Sequence, residues 1–233
     1  MAERKFDQFD DYADNYRQIH TENVRISGAD SYYFAEMKVR LMVEFEKNLT
    51  LKVLDVGCGD GATETFFEKY FPRWQVAGID ISGESIRQAK KRTLSKAEFT
   101  EYDGIHMPFD AGSFDIVFMA GVLHHIDFSL HAVVLREINR VLRSGGRFYL
   151  FEHNPFNPLT RYLVNNCIFD KDAKLLKKNY VHSVLQQQSF KIQHAAYIIF
   201  FPRSNLFKRL LFLEKYLTRI PLGGQYYFIS LKS

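Results

Sequence analysis

The chain has 233 residues and is 46% hydrophobic, enough to bury a full core and within the size range of one α/β domain. Its 31 basic and 27 acidic residues leave a formal charge of only +4, too weak and too evenly spread to argue for nucleic acid. The longest apolar run, AAYIIFF (195–201), falls far short of the ~20 residues of a membrane-spanning helix. The opening MAERKFDQFDDYADNY is charged where a signal peptide needs an apolar core. Cys58 and Cys167 lie far apart without metal-like spacing, so the expectation is two reduced thiols and a cytoplasmic protein.

Residues 1–50 read as a helical cap or lid. FDQFDDYADNY places Tyr12 and Tyr16 four apart, on one face of a helix. DSYYFAEMKVRLMVEFEKN spaces Phe34, Met37, Leu41, Phe45 and Leu49 at helical intervals, with Asp30 or Ser31 as the cap. LKVLDV (51–56) is a strand, followed by a glycine loop and a helix, TETFFEKYF, that stops at Pro72. The order repeats through the strand QVAGID, a helix capped by Ser82, and the shorter strand AEFTEYD. SFDIVFMAG is an apolar strand, LHAVVLREINRVL a helix halted at Gly145-Gly146, and RFYLFEH (147–153) the fifth strand. Such alternation predicts α/β architecture: a doubly wound, Rossmann-like parallel sheet covered by helices on both faces.

Between 153 and 170 two Asn-Pro steps favour turns and interrupt any helix crossing them, which reads as an irregular insertion. A helix near 174–188, the strand FKIQHAAYIIFF, the helix NLFKRLLFLEKYL and the strand QYYFISLK complete a sheet of about seven strands. The late helix and the residues after it set Lys208, Arg209, Lys215 and Arg219 among Leu and Phe. That pattern suits a membrane surface or an anionic acceptor, but packing on the sheet explains the nearly continuous apolar residues more simply. One domain is expected, with a cap over 1–50, a cofactor-binding core over 51–152, and a substrate-facing insertion and sheet completion over 153–233.

GCGDGA (57–62) could serve two ligands. Read as GxGxxA it meets a dinucleotide fingerprint, with Asp80 about where an acid would hold a ribose. In such a site, however, the backbone donors face a pyrophosphate, which Asp55 and Asp60 would repel. S-adenosylmethionine (SAM) has no phosphate and carries an ammonium and a sulfonium, so nearby acids favour it. Open α/β sheets bind ligands at the carboxyl ends of their strands. There Asp80 can accept from ribose hydroxyls, Asp103 can accept from the adenine amino group, and the GVLHHI turn can border the methyl group.

From Leu51 to Glu152 the motifs VLDVGCGDG, GIDIS, YDGIHMPFDAGSFDIVF and LRSGGRFYLFEH resemble class I SAM-dependent methyltransferases, in particular the methyltransferase-11/12-like bacterial group. The resemblance implies SAM as cofactor, S-adenosylhomocysteine as product and no metal. It also implies cofactor contacts from Asp55, Gly57, Cys58, Gly59, Asp80, Ile81, Asp103, Gly104 and Ala120. Lys38 is a further partner for the cofactor carboxylate. The opening segment resembles the lid of these enzymes, so Tyr16 and Tyr12 could cover the sulfonium with aromatic surface. Tyr12, Asn154, Asn157 and Arg161 are expected to face the acceptor.

Methyl transfer from a sulfonium is an in-line displacement with an activated leaving group, so alignment and exclusion of water supply much of the acceleration. A carboxylate acceptor needs no base, whereas a hydroxyl or amine benefits from one. His124, His125 and His153 are the candidates for that base. EHNPFNPLTRYLVNNCIFDKD resembles methyltransferases of bacterial glycan and natural-product gene sets. The implied function is O-methylation of a specialised small molecule or peptide, with a sugar or lipid-linked glycan as the alternative acceptor. The rival of another class is a non-catalytic SAM-binding regulator. No nucleic-acid partner is expected, and the oligomeric state is left open.

Overall fold

Along β1 (Lys52–Val56) Val53 and Leu54 point to opposite faces of the sheet, and both are fully buried. Two cores follow from that alternation. On one face Leu54, Val117 and Leu150 meet the Leu135 and Ile138 stripe of a covering helix. On the other Val53, Ile116 and Phe151 meet Val39, Met42, Phe67 and Trp74. A strand buried on both sides needs helices on both sides, which is the doubly wound arrangement. The computed structural model of the chain describes residues 16–47, 49–170, 172–203 and 207–233.

The remaining strands are β2 (Gln75–Asp80), β3 (Ala97–Glu101), β4 (Phe114–Ala120), β5 (Leu142–His153), β6 (Phe190–Ile198) and β7 (Gln225–Lys232). They form one seven-stranded sheet in the order β3-β2-β1-β4-β5-β7-β6. β1 to β5 are parallel, and β7 runs antiparallel to both β5 and β6. The strand order reverses between β1 and β4, opening a crevice at their carboxyl ends. Because β6 runs parallel to β5, the connection from β6 to β7 also leaves from that end.

The helices are α1 (Tyr16–Val24), α2 (Ser31–Val43), α3 (Ala62–Tyr70), α4 (Gly83–Lys90), α5 (His131–Val141), α6 (Pro158–Asn166), α7 (Lys178–Gln187) and α8 (Glu214–Leu217). Asp30 and Ser82 cap α2 and α4 by accepting from the backbone N–H of Tyr33 and Ser85.

Four expectations change. The buried stripe of α2 is Ser31, Ala35, Val39 and Met42, and Leu49 is exposed beyond the helix end. Val39 and Met42 of that stripe pack in the core with Phe67 of α3, and Leu41 and Phe45 lie partly buried against the same cluster. Gly145-Gly146 does not stop a helix: α5 ends at Val141, and the glycines lie inside β5 where its register against β4 shifts. The second Asn-Pro step starts a helix, since Asn157 caps α6 through the Thr160 N–H and Pro158 occupies a first-turn position that lacks an N–H partner anyway. Residues 208–213 form a 3-10 helix followed by the single turn α8, with Phe212 and Tyr216 exposed rather than packed on the sheet.

One buried ion pair ties α2 to the sheet. Arg147 on β5 donates Nε and Nη2 to Glu46 at 2.5 and 2.6 Å, and the buried Tyr149 hydroxyl donates to the same carboxylate at 2.5 Å. Glu46→Ala should cost about 3 kcal/mol in urea unfolding, the low end for a broken buried pair because Arg147 keeps some contact with water. Glu46→Gln, which still accepts one bond, should cost less.

Candidate functional site

The glycine loop begins where β1 ends. Gly57 has φ +77° and takes a left-handed conformation that favours glycine. A Cβ there would lie 2.4 Å from Val122 Cγ2, so glycine also lets the loop close against the turn after β4. At Gly59 (φ +55°) a Cβ would meet nothing within 4 Å, leaving bare backbone facing open space. The loop is held by Asp80 at the end of β2, whose two oxygens accept from the Gly59 and Ser82 N–H groups at 2.9 Å each. Ile81 lies beside Gly104, its Cγ2 3.1 Å from where a Gly104 Cβ would stand.

The loop acids do not act alike. Asp60 turns to Arg92, which pairs with it at 2.5 Å, so its charge is met. Asp55 and Glu64, 2% and 1% exposed, lie within hydrogen-bond reach of each other instead. Two buried carboxyl groups in contact cannot both be ionised cheaply, so the pair holds a proton. Burial, reinforced by Asp80, raises Asp55 to about 7 although Lys38 pulls the other way. Glu64 is raised by burial and by Asp55. Cys58, buried beside these acids, stays a thiol because burial and their charges raise its pKa.

Among the described residues no cation forms a salt bridge with either acid, which suits a ligand that brings its own positive charge. SAM does so, and a pyrophosphate would be repelled. Lys38 stands close enough to act electrostatically on both Asp55 and His153, which places it at this end of the sheet. Ala120 closes β4 beside the loop. Asp103 caps its own turn, with Oδ1 accepting from Ile105 and His106 and Oδ2 paired with His106 at 2.7 Å. That His106 bond leads the interactions that hold Asp103 at about 2.

Between β4 and β5 the structure gathers all three predicted histidines. Glu152, buried on β5, accepts from the Leu123 N–H at 3.0 Å and bonds His124 Nδ1 at 2.6 Å. His124 Nε2, buried and without a hydrogen-bond partner among the described residues, lies 3.8 Å from Asp170 Oδ1, and His125 Nε2 lies 3.3 Å from the same oxygen. The His124 ring centroid is 4.3 Å from that of His125 and 5.2 Å from that of His153. Burial opposes a charge on His124, but Glu152 and Asp170 on either side outweigh it and raise the pKa to about 10. Burial and the His124 charge lower His153 to about 4. Burial also lowers His125, against the pull of Asp170. At neutral pH the cluster therefore holds one imidazolium, two carboxylates and two neutral imidazoles.

The ligand atoms of His124, His125 and Asp170 fall within 4.8 Å of one another, close enough to hold a metal ion. A proton on His124 offsets one of the two carboxylate charges and leaves the cluster with a net negative charge. Asn154 donates its amide to the Pro221 and Gly223 carbonyls at 3.1 and 2.7 Å, and Asn157 donates to Leu222 at 2.7 Å, so both brace the approach to β7. Arg161 is exposed on α6. Tyr16 opens α1 but its side chain falls outside the description, and Tyr12 lies outside the described residues. Sequence reasoning missed Glu64, Glu152 and Asp170. An acid at the penultimate position of the apolar strand β5 was a local signal for Glu152, whereas nothing local marks Asp170.

An open sheet ordered 3-2-1-4-5-7-6 with one antiparallel strand, and a glycine loop and acids at its switch point, is the class I SAM-dependent methyltransferase fold. Residues 54–150 match the methyltransferase domain family. The chain is 30% identical over 140 residues to the malonyl-[acyl-carrier protein] O-methyltransferase of Legionella pneumophila, a match covering 59% of this chain and 45% of that protein. It is 31% identical over 153 residues to the 27-O-demethylrifamycin SV methyltransferase of Amycolatopsis mediterranei, covering 61% and 55%. The chain thus spans about half the length of the curated relatives it matches. A Thermotoga maritima SAM-dependent methyltransferase, described as a possible histamine N-methyltransferase, shares the fold with a TM-score of 0.68 at 16% identity, over 98% of this chain and 100% of that one. The cofactor is SAM.

The Asp55–Glu64 pair has a pH consequence. Unfolded, both acids ionise above about pH 4–5, whereas in the fold Asp55 titrates near 7 and Glu64 is held well above its ordinary range by burial and by Asp55. The native state then binds more protons in that window, so the free protein should lose stability as pH rises from 5 to 8. In Glu64→Gln, where Asp55 gains a neutral neighbour, urea midpoints measured across the same range should show a flatter slope.

Proposed function

We propose that the protein transfers the methyl group of SAM to a hydroxyl oxygen of a small molecule, a peptide or a lipid-linked glycan. The observation that carries this reading is the Glu152–His124–Asp170–His125 cluster at the ends of β4 and β5. A carboxylate acceptor would need no base and would be repelled by Glu152 and Asp170, whereas a hydroxyl must give up its proton. The bound cofactor supplies an electrophilic methyl group on a good leaving group. Asp55, Glu64 and Lys38 offer charge to its amino-acid end, Asp80 offers acceptors to its ribose, and Ile81 with Gly104 offers a wall to its adenine.

His125 is the proton acceptor in this reading. It is neutral, and Asp170 at 3.3 Å stabilises the imidazolium formed when it takes the acceptor proton. His153 is less suited, since a conjugate acid with a pKa of about 4 holds a proton poorly at neutral pH. His124, fixed between two carboxylates, positions Asp170 and the 123–125 turn and is already protonated. A lipid-linked acceptor is favoured by the exposed apolar side chains of the β6–β7 connection.

The test is transfer of labelled methyl from SAM across a panel of hydroxyl acceptors. His125→Gln should leave SAM affinity within about twofold and slow transfer by roughly 10²–10⁴. Asp170→Asn should slow it less and move the pH profile to lower pH, because the His125 imidazolium loses its stabilising anion. Full activity of His125→Gln at every pH would remove the proposed base, and transfer to a carboxylate alone would overturn the acceptor assignment.

A further inference from the structure

Against the expectation of an even spread, the basic excess of the chain falls in one segment. Residues 199–224, the connection from β6 to β7, contain five basic residues and one acid, so they hold the whole formal excess of +4. That acid, Glu214, is engaged internally: it pairs with Arg203 at 2.8 Å and accepts from the N–H groups of Phe200 and Phe201. Arg209, Lys215 and Arg219 are exposed, and so are Arg25 and Arg161 on neighbouring segments.

Apolar side chains lie exposed among these charges. On the connection Leu210, Phe212, Tyr216 and Leu222 face outward, Phe212 at 62% and Tyr216 at 69% exposure. Phe156 and Tyr162, before and within α6, do the same. Hydrogen bonds join the segments: Asn157 Nδ2 to the Leu222 carbonyl, Thr160 Oγ1 to Gly224 at 2.9 Å, Asn23 Nδ2 to Leu163 at 3.2 Å, and the Arg203 N–H to Ser27 at 2.6 Å. The result is one continuous cap at the carboxyl end of β5, next to the histidine cluster. A cleft of about 670 Å³, lined by Thr21, Arg25, Tyr33, Arg203 and Leu211 among others, opens within the same cap.

We propose that this face docks on an anionic lipid bilayer. Exposed aromatic and leucine side chains ringed by lysine and arginine form the amphipathic pattern that settles at a headgroup boundary, where apolar groups enter the acyl region and basic groups meet anionic lipid. A second copy of the chain fits less well, because a two-fold interface sets the patch against itself and brings basic groups face to face. Docking turns the cleft and the end of β5 toward the bilayer. If the proposed methyl transfer is correct, the acceptor is then a membrane-borne molecule; the docking itself does not depend on that reading.

Co-sedimentation with vesicles of phosphatidylcholine alone, and with roughly one phosphatidylglycerol in three, tests the surface. The wild type should bind the anionic vesicles, bind pure phosphatidylcholine at least tenfold more weakly, and release as salt is raised toward 1 M, where the Debye length falls to about 3 Å. Phe212→Glu combined with Tyr216→Glu should cut binding tenfold or more while leaving the melting temperature and SAM affinity unchanged, and Lys215→Ala with Arg219→Ala should weaken the anionic preference alone. No binding of the wild type at low salt, or equal binding by the glutamate variant, would overturn the proposal. So would light scattering that shows a wild-type dimer dissociated by those glutamates, since the patch would then be a subunit interface. Methyl transfer to a soluble acceptor without vesicles is scored separately, so loss of that activity bears on the base and not on the surface.

Discussion

The contact between Glu152 and His124 organises the working end of the molecule. Glu152 stands on a central strand with no water to solvate it, and a lone carboxylate in that position would be costly. His124 meets one oxygen as a cation, and the Leu123 N–H meets the other. The same carboxylate therefore fixes the turn after β4 and sets the charge of its histidine. A charged His124 in turn holds Asp170 well below the usual carboxylate range and helps keep His125 and His153 neutral. One buried ion pair thus bears on three other protonation states.

A second group of acids lies on the other side of the switch point and works in the opposite sense. Asp55 and Glu64 have no cation of comparable closeness, so they keep a proton instead of forming an ion pair. Both arrangements answer the same problem, buried carboxylates at strand ends, and they leave different capacities. In the first group a charged His124 offsets one of the two carboxylates, and His125 stays neutral beside the other. The second is poised to lose a proton when a positive ligand arrives.

The cap over this end is built from polar bonds to backbone more than from apolar burial. Asn154, Asn157 and Thr160 reach the carbonyls of 221–224, which leaves the large apolar side chains of the connection free to face outward. Apolar groups placed outside while polar groups bind inside reverse the usual arrangement of a soluble surface.

The amino-acid sequence by itself determined the alternation of strands and helices, the glycine loop, the acids at the ends of β1 and β2, and the histidines after β4. Those features are local: a strand repeats every two residues, a helix every three to four, and a left-handed turn requires its glycine where it stands. Only the tertiary structure decided that Asp60 turns to Arg92 while Asp55 turns to Glu64, that Ser31, Ala35, Val39 and Met42 and not Phe34 or Met37 form the buried stripe of α2, and that Asn157 begins a helix. It also joined Asp170 to His125, 45 positions away in sequence. Such pairings follow from strand order and from which helix covers which face, and no residue's immediate neighbours carry that information.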